Sequence, residues 1–454
     1  MIQSENQPAV VSVTTQKRVV ILLLVFFIAL GVRLLNWQAV GNEPLVVQSG
    51  VAENYKQLAH LIRANGFSSL YDSASPTNNP ELLGHPPGYP ILLAVVYNVT
   101  GPSDRAVQLL QIFFDALSAV LILLIAFEMF SAPIAVAGAL FAALAPQFTW
   151  NCLTLLPDSL AAFPILLAVW LIVRASKRDT TNRQTLISCF FAGALISVSC
   201  CLRANALLLP LFLLLAFPLL RKPNERLRPA LLFVAGALLF IAPLTIRNAI
   251  VFRKFIPVSL GAGQTLLEGL ADYDRDGSLG VQQTDVDLVR AEALAYNRPD
   301  YAPSLFKPDG IERDRERVRR GVRIIASHPV WFAGVMVQRA SSMLRLERTP
   351  LRLDTNGGST GWRVVQRPLR WLQKLFVTAI FLPLLLLGIG ILVWQRRFAN
   401  LALMLLVPGY YFCTQSALHT EYRYVLVIHY FLFLLAAVGL HWLAQKIKTF
   451  RVRV

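Results

Sequence analysis

Charged residues are scarce in this sequence. They make up 15% of the 454 residues, whereas hydrophobic residues make up 55%. A soluble globular domain has roughly 25% charged residues, so this composition excludes an ordinary soluble domain. Several apolar runs approach or exceed the roughly 20 residues that a helix needs to cross about 30 Å of hydrocarbon. The sequence therefore predicts a polytopic, all-α integral membrane protein.

Acidic residues are few as well, 26 against 43 Lys and Arg, which gives a net charge of +17. A basic protein is a candidate for binding nucleic acid, but no basic module interleaved with aromatic residues is present, so we expect no nucleic acid partner. Much of the charge lies in short loops beside apolar runs, where Lys and Arg mark the cytoplasmic side. The remainder lies in one long loop and suits anionic membrane lipids or phosphate.

Cysteine occurs only five times, always within or beside an apolar run, and never at the spacing of metal ligands. This placement is typical of small buried hydrophobic residues. The five are Cys152, Cys189, Cys200, Cys201 and Cys413.

The alternation of apolar runs and polar segments divides the chain into seven parts. Lys17 and Arg18 precede the first apolar run, and no small-residue cleavage site follows it, so we expect a retained first helix with its N-terminus inside. The predicted parts are a cytoplasmic N-terminus (1–17), a first transmembrane helix (18–38), a first external loop with interfacial helices (39–105), transmembrane helices (106–247), a large external region (248–370), C-terminal transmembrane helices (371–445) and a cytoplasmic tail (446–454).

The short apolar run Gly88 to Val99 decides the topology. If it does not span, the basic loops at 174–183, 221–228 and 396–397 all fall on the side of Lys17 and Arg18. That arrangement satisfies the positive-inside rule, and about 12 residues are too few to cross comfortably. We therefore predict an interfacial helix here, and about ten transmembrane helices in all, within a range of nine to thirteen. By the same parity, the apolar segment Val330 to Leu344 lies along the outer interface.

Candidate acid–base groups lie in the predicted external segments. The long loop Asn42 to Pro90 holds an amphipathic stretch with Glu53, and Asp158 follows Pro157 at the outer mouth of a helix. Carboxylates at a membrane surface suit proton transfer, because partial burial tunes their pKa. Asp158 or Ser159 is equally placed to cap the helix. His85, before a rigid Pro-Pro-Gly turn, is either part of a site or a structural or solvated histidine.

Candidate cationic or ion-pairing residues lie at predicted outer helix ends and in the last predicted outer turn. Arg203 and Arg247 either extend to lipid headgroups or grip phosphate, which arginine binds bidentately. Glu421, Tyr422 and Arg423 form either a local ion pair or part of the same site. The basic stretch Arg313 to Arg323 is compatible with a helix that faces solvent or headgroups, or with a specific phosphate site.

One segment resembles the first half of a calcium-binding loop. Asp272, Asp274 and Asp276 precede Gly277, but Gln283 stands where the bidentate Glu belongs. The flanks are also wrong for an EF-hand. The choice is between a divalent metal ion and a plain Asp-Gly turn.

The order of these motifs resembles the GT-C superfamily of membrane glycosyltransferases, and in particular the bacterial protein O-mannosyltransferases and lipid A aminoarabinose transferases. The resemblance runs from the first helix to the last, but it is absent from about 270 to 370. It rests on Tyr55, Leu58 and Ala59, on the HPPGYP turn (His85, Pro86, Pro87, Gly88, Tyr89 and Pro90), on Leu155 to Ser159, on Arg203, on Pro243 to Asn248, and on Glu421 to Tyr424.

This resemblance implies a GT-C-like helix bundle that acts as an inverting glycosyltransferase at the external face of the cytoplasmic membrane of a bacterium. The donor would be a polyprenyl-phosphate-linked sugar, a hexose or a pentose, and the acceptor a lipid, glycan or protein. An acid of the first loop would deprotonate the acceptor, while Tyr55, His85 and the arginines, or a divalent metal ion, would hold the lipid phosphate. A fixed positive charge beside the leaving group lowers the barrier to its departure.

The sequence departs from the family at the position of the first-loop acid. In the family that acid precedes the loop tyrosine by three or four residues, where this chain has Val51 and Ala52, and the nearest acid is Glu53. Asp158 does match the second acidic position of the family. Arg247 and Arg423 match recurrent positions.

Two other classes of function compete with the glycosyltransferase. A transporter or flippase for a lipid-linked or anionic substrate would also have many helices and outer arginines. Transporters usually contain broken helices or internal repeats near the midplane, and neither is recognisable in this sequence. Intramembrane charge is also scarce, with Asp115 as the main exception. A non-catalytic lipid-binding scaffold is the third alternative.

Overall fold

The computed structural model describes residues 14–40, 50–178, 182–346 and 360–451. These residues form helices joined by short connections, with no strand among them, so the predicted all-α fold class is confirmed. The α-helices are α1 (Thr15–Val40), α2 (Gly50–Asn65), α3 (Gly88–Thr100), α4 (Asp104–Met129), α5 (Ala132–Leu144), α6 (Pro146–Asn151), α7 (Asp158–Ser176), α8 (Arg183–Leu202), α9 (Leu209–Leu213), α10 (Ala216–Leu220), α11 (Leu227–Phe252), α12 (Ala262–Ala271), α13 (Asp285–Ala295), α14 (Gly310–Ser327), α15 (Pro329–Met343), α16 (Thr360–Gln373), α17 (Thr378–Trp394), α18 (Phe398–Ala417) and α19 (Leu426–Arg451).

Short 3-10 turns connect several of these helices and carry part of the candidate site. They are Phe67–Tyr71, Pro76–Asn78, Pro80–Gly84, Ala204–Ala206, Pro223–Glu225, Pro299–Tyr301 and Tyr422–Val425.

Six of the described helices are long and apolar enough to cross a membrane, or seven if one bent pair counts as a single span. These helices confirm a multi-pass membrane protein, and they are loosely consistent with the predicted number of about ten transmembrane helices. The six are Thr15–Val40, Asp104–Met129, Asp158–Ser176, Arg183–Leu202, Pro223–Phe252 and Tyr422–Phe450.

Two apolar runs within the predicted transmembrane part, 132–150 and 204–220, are each divided into shorter helices. Within 132–150, one helix ends at Leu144 and a second begins at Pro146, because proline has no backbone N–H to donate inside a helix. The run 204–220 is divided into Ala204–Ala206, α9 and α10. In addition, residues 366–373 and 378–394 meet at an angle of 58°.

The last helix, α19, forms the centre of the bundle, because nearly all of its residues from Val425 to Val438 are buried. Its Tyr430 ring stacks on Phe148 of α6 at a centroid distance of 3.9 Å. Gly439 and Gly388 allow α19 and α17 to approach so closely that a Cβ on Gly388 would lie 2.0 Å from the carbonyl oxygen of Leu435. By contrast, α1 and α11 lie at the edge of the bundle and expose much of their surface.

An ion pair lies inside the bundle, between α1 and α4. The Nε of Arg33 lies 2.5 Å from Oδ2 of Asp115, and both side chains are fully buried. Ser159 and Tyr430 donate hydroxyl hydrogen bonds to Oδ1 of Asp115 at 2.8 and 2.9 Å. Arg33 also donates to the carbonyl of Ala143 at 3.0 Å. The predicted intramembrane charge is therefore neutralised, and its network joins α1, α4, α5, α7 and α19.

The region after α11 folds into a helical unit with its own buried ion pairs. Glu292 of α13 receives Arg313 at 2.6 Å and Arg317 at 2.7 Å, and both arginines belong to α14. Asp314 accepts the backbone N–H groups of Gly261 and Gly263 at 3.2 and 3.1 Å. The basic stretch 313–323 is therefore helical as predicted, but two of its arginines are interior rather than solvated.

The two predicted interfacial segments are both helices. The run 88–99 forms α3 and the run 330–344 forms α15, each too short to be a long span. Residues 1–13 of the predicted N-terminus and 452–454 of the predicted tail lie outside the described residues.

Candidate active site

In the segment predicted to be the first external loop, α2 presents one face to the bundle. Buried side chains recur with helical spacing and belong to Ala52, Tyr55, Leu58, Ala59 and Ile62. Residues two apart on a helix point in nearly opposite directions, so burying Tyr55 turns Glu53 outward. Glu53 is 67% exposed and lies 3.7 Å from Lys56, on the far side of α2 from Tyr55. The structure does not bring this predicted acid to the cluster described below.

The HPPGYP turn delivers His85 and Tyr89 to the buried face of that helix. Gly88 is required there, because a Cβ on it would lie 2.4 Å from the carbonyl oxygen of Cys201. The Tyr55 ring lies 4.8 Å from the ring of His85 and 5.1 Å from that of Tyr89. Pro86 and Pro87 form the rigid corner before α3, with Pro87 as its N-cap residue. The structural role of this turn stays a prediction.

Gln111 of α4, which the sequence analysis did not single out, connects the turn to the 151–158 segment. It accepts a hydrogen bond from the Tyr89 hydroxyl at 2.6 Å and donates to the carbonyl oxygens of Cys152 and Thr154 at 3.0 and 2.6 Å. All of this lies within the protein interior. Gln111 therefore fixes the turn that leads into Asp158.

Asp158 is the first residue of α7, yet its side chain does not cap that helix. It faces Arg203 instead, with Oδ1 3.0 Å from Nε and Oδ2 3.2 Å from Nη1. The carboxylate of Asp158 is almost completely buried in this position. Because Oδ1 lacks a well-aligned hydrogen bond, this oxygen keeps an acceptor position. Of the two alternatives for Asp158, the geometry favours a site over a cap.

Arg203 and Arg423 come together on one aromatic ring. The guanidinium carbon of Arg203 lies 4.0 Å from the centroid of Tyr424, and that of Arg423 lies 5.3 Å from it. Arg423 is bound by Glu421, whose Oε2 lies 2.6 Å from Nε. The Tyr424 hydroxyl donates to the other oxygen of Glu421 at 3.0 Å. The local ion pair and the common site, which the sequence left as alternatives, therefore coincide.

The turn that bears Arg203 is fastened to the turn that bears Tyr424. Asn205 donates its side-chain amide to the carbonyl oxygen of Tyr424 at 3.0 Å. Tyr410 of α18 donates to the carbonyl oxygen of Asn205 at 2.6 Å. Neither residue carries a motif that a sequence alone would reveal.

The charges of the cluster set the protonation of His85 and Tyr55. Burial, and then the nearby cations Arg203 and Arg423, lower the pKa of His85 to about 4. Burial raises the pKa of the Tyr55 phenol, an effect that Arg203 opposes. At neutral pH the imidazole and the phenol therefore both face the arginines as neutral groups.

Arg247 lies apart from this cluster and holds the first external loop. Its Nε donates to the carbonyl oxygen of Leu70 at 2.7 Å, and its Nη2 donates to the side-chain oxygen of Asn78. Asn248 accepts from it at 2.8 Å and binds the carbonyl oxygens of Ile256 and Val258. Arg247 thus connects α11 to the loop that contains Leu70 and Asn78.

The three aspartates of the calcium-like segment have separate partners. Asp272 contacts His419 at 2.8 Å, whereas Asp274 and Asp276 accept hydrogen bonds from Ser278 or Leu279 in their own turn. Across the ranges that the structure describes, no three His, Cys, Asp or Glu side chains are arranged to hold a metal ion. Asp272, Asp274 and Asp276 therefore do not form a joint metal site.

A family model described as dolichyl-phosphate-mannose-protein mannosyltransferase matches residues 84–246. That segment contains His85, Gln111, Asp158 and Arg203. No curated protein matches the chain by sequence.

Solved structures similar to the chain include the archaeal oligosaccharyltransferase AglB from Archaeoglobus fulgidus. Its complex with an inhibitory peptide and a dolichol-phosphate has a TM-score of 0.54 at 16% identity, covering 96% of this chain and 51% of that one. A second structure of that enzyme, with Zn and sulfate, has a TM-score of 0.55 at 14% identity, with coverages of 94% and 49%. The chain therefore spans about half the length of this relative.

ArnT from Cupriavidus metallidurans in the apo state also matches, at 15% identity over 93% of this chain and 76% of that one, but with a TM-score of only 0.38. The resemblance to the GT-C superfamily is confirmed, by the fold over nearly the whole chain and by the family model over residues 84–246.

Proposed function

We propose that the protein is an inverting glycosyltransferase that moves a sugar from a polyprenyl-phosphate-linked donor to a lipid, glycan or protein acceptor. The observation that carries this proposal is the pair Arg203 and Arg423 on the ring of Tyr424. Each guanidinium group faces one carboxylate. An anion bound beside both groups would be stabilised by the charges of the two arginines. A phosphate has the shape and charge that two planar guanidinium groups bind best.

The neutral groups around the arginines suit the remainder of such a donor. Tyr55, His85 and Tyr89 form a buried aromatic wall beside the cations. Aromatic faces pack against sugar rings and exclude water, which strengthens the electrostatic interactions inside the site. Before the donor binds, the imidazole of His85 is neutral. In the complex it hydrogen-bonds to the phosphate, in addition to the two arginines.

We assign the proton acceptor to Asp158, because it is the carboxylate that the cluster buries and Glu53 points away. An acceptor hydroxyl would attack the anomeric carbon from the face opposite the phosphate, so the configuration inverts. Its proton passes to Oδ1 of Asp158, while the bond between the anomeric carbon and the phosphate oxygen breaks and its electron pair remains on the phosphate. Arg203 and Arg423 stabilise the negative charge that develops there.

The positive-inside rule supports a site at the external face of the cytoplasmic membrane. Arg203, Asp158 and Arg423 lie at helix ends opposite the basic loops 174–178 and 221–228. Similarity to an oligosaccharyltransferase structure that contains a dolichol-phosphate supports a lipid-linked donor. The sugar is a hexose or a pentose.

The test compares wild type with Asp158→Asn and Glu53→Gln in lipid nanodiscs. Radiolabelled undecaprenyl-phosphate sugars are supplied with total membrane lipid and peptide acceptors, and both transfer and donor binding are measured. We expect Asp158→Asn to lower turnover by about 10²–10⁴-fold, the range of a general base, while donor binding persists. Glu53→Gln, the matched exposed carboxylate, should stay within about threefold of wild type.

Turnover that is lost in Glu53→Gln and retained in Asp158→Asn would reverse the assignment of the base. Donor binding without turnover by wild type, across a panel of sugars and acceptors, would exclude the transferase.

The broken helices favour a second candidate, a transporter or flippase. Ala204–Leu220 is interrupted just inside Arg203, and residues 366–394 bend by 58°. Transporters place such interruptions at their substrate sites. Movement of a fluorescent polyprenyl-phosphate analogue across proteoliposomes, blocked by Arg203→Gln, would identify this function. Transfer of sugar with no such movement would exclude it.

A further inference from the structure

The helix α12 is seated directly on the turn that carries Glu421, Arg423 and Tyr424. The backbone N–H of His419 donates to the carbonyl oxygen of Thr265 at 3.2 Å. Gly269 allows the contact, because a Cβ there would lie 2.6 Å from the backbone nitrogen of His419.

Arg339 locks the same junction from a third helix, α15. It is buried, donates to the carbonyl oxygen of Ser416 at 2.9 Å, and donates a second hydrogen bond to the carbonyl oxygen of Gly269. The backbones of α12, α15 and the end of α18 are thereby fixed to one another. The side chain of His419 projects from a rigid base.

Three acidic groups surround that side chain. Nδ1 of His419 is 2.8 Å from Oδ2 of Asp272, which fixes the orientation of the ring. Nε2 lies 4.0 Å from Oε1 of Glu421 and 3.8 Å from Glu268. The imidazole is only 15% exposed, whereas Glu421 is 41% exposed. His419 therefore covers one side of Glu421. Without the imidazole, that side of Glu421 would face solvent.

Glu421 in turn holds Arg423 through both of its oxygens, at 2.6 and 2.8 Å. The oxygen nearer to His419 also accepts the Tyr424 hydroxyl at 3.0 Å. A carboxylate that is hydrogen-bonded to Arg423 and Tyr424, with His419 4.0 Å away, keeps its partner guanidinium in one position. A fixed guanidinium loses less conformational entropy when it binds an anion than a mobile one does.

We propose that His419 is a positioning residue, which, anchored by Asp272, holds Glu421 and through it aims Arg423 into the site. The proposal rests on the proposed function only for the identity of the anion that Arg423 binds, a phosphate. Its structural core, the dependence of Arg423 on His419 through Glu421, holds for any anion.

The experiment measures Arg423 directly, by the rate at which phenylglyoxal modifies it in the full chain in nanodiscs. Peptide mass spectrometry gives the rate, and exposed Arg319 in the same sample is the internal reference. We expect His419→Leu to raise the rate at Arg423 by about threefold, a size typical of coupling between contacting residues. His419→Gln, which retains a donor for Asp272, should stay near wild type.

A double variant separates positioning from a general loosening of the fold. Glu421→Gln alone should raise labelling of Arg423, and adding His419→Leu should change it no further, since His419 acts through Glu421. An unchanged rate in His419→Leu, or the same increment in both backgrounds, would overturn the proposal. If His419→Leu does not fold, Asp272→Ala decides: it should raise labelling, whereas Asp276→Ala, four residues on in an exposed turn, should not.

Affinity for undecaprenyl phosphate gives the functional arm. Because positioning lowers the cost of binding, His419→Leu should weaken that affinity although Arg423 becomes more reactive. Increased affinity would mean that Glu421 had merely been masking Arg423, which would overturn the positioning role. If wild type binds no polyprenyl phosphate, the proposed function fails, and the labelling series still decides the inference.

Discussion

The guanidinium of Arg203 lies 4.0 Å from the ring centroid of Tyr424, a residue 221 positions later in the chain. Arg423 approaches the same ring, and Asp158 holds Arg203 from the other side. These residues come from the starts or ends of α7, α8 and α19. Packing of the helices, rather than any local motif, therefore creates the cationic centre of the site.

Removing either arginine of this pair should weaken the binding of a polyprenyl phosphate. For Arg203→Gln and Arg423→Gln we expect losses of about 1.5–3 kcal/mol each, the size of a hydrogen bond to a charged group, or roughly 10–150-fold in Kd. Binding of undecaprenyl phosphate to nanodisc-embedded protein measures this. Unchanged Kd values in both variants would remove the pair from the binding site.

Arg247→Gln should have the opposite signature. Arg247 binds Leu70, Asn78 and Asn248 rather than the Tyr424 cluster. Loss of its buried hydrogen bonds should lower the free energy of unfolding by about 1–3 kcal/mol. The Kd for undecaprenyl phosphate should change by less than about threefold, within the effect of a weak indirect coupling. Thermal unfolding measured beside the binding assay tests both statements, and a large loss of affinity at unchanged stability would place Arg247 in the site.

The sequence predicted the fold well because long apolar runs and basic loops report directly on membrane insertion. It also identified Tyr55, His85, Asp158, Arg203 and Arg423, since each belongs to a motif or lies at a predicted outer helix end. These five come together in the structure. The breaks within 132–150 and 204–220 were missed, although prolines inside apolar runs gave a signal for them.

Side-chain direction was the part that the sequence could not give. Glu53 and Tyr55 lie in one loop motif, and only the burial of one face of α2 shows that they point apart. Arg33 was passed over inside an apolar run, where nothing local identifies its partner Asp115. His419 and Gln111 lie outside every motif, and their contacts depend on elements 147 and 41 residues away in the chain.

His85 should make the stability of the protein depend on pH. Its pKa is lowered to about 4 in the folded protein, by burial and then by Arg203 and Arg423, and it is about 6.5 in an unfolded chain. Above pH 6.5 both states are neutral and His85 has no effect. As the pH falls from about 6.5 to about 4, the unfolded chain binds the proton first, so stability decreases by up to about 1.4 kcal/mol per pH unit.

The measurement is thermal unfolding at pH 7.5, 6.0 and 5.0 for wild type and His85→Gln. Other groups titrate in both proteins, so the difference between the two curves isolates His85. We expect that difference to shift in favour of His85→Gln as the pH falls. A difference that stays constant with pH would show that His85 is not held neutral by its surroundings.

The intramembrane pair Arg33 and Asp115 should be the most sensitive structural element of the bundle. Breaking a buried ion pair leaves one charge without a partner, so Arg33→Leu or Asp115→Leu alone should cost about 3–5 kcal/mol. The double variant Arg33→Leu with Asp115→Leu should recover part of that loss, because no unpaired charge remains. Ser159→Ala removes only one hydrogen bond to Asp115 and should cost about 1 kcal/mol. Thermal unfolding in nanodiscs ranks the four proteins, and a double variant less stable than either single variant would show that the pair contributes more than charge neutralisation.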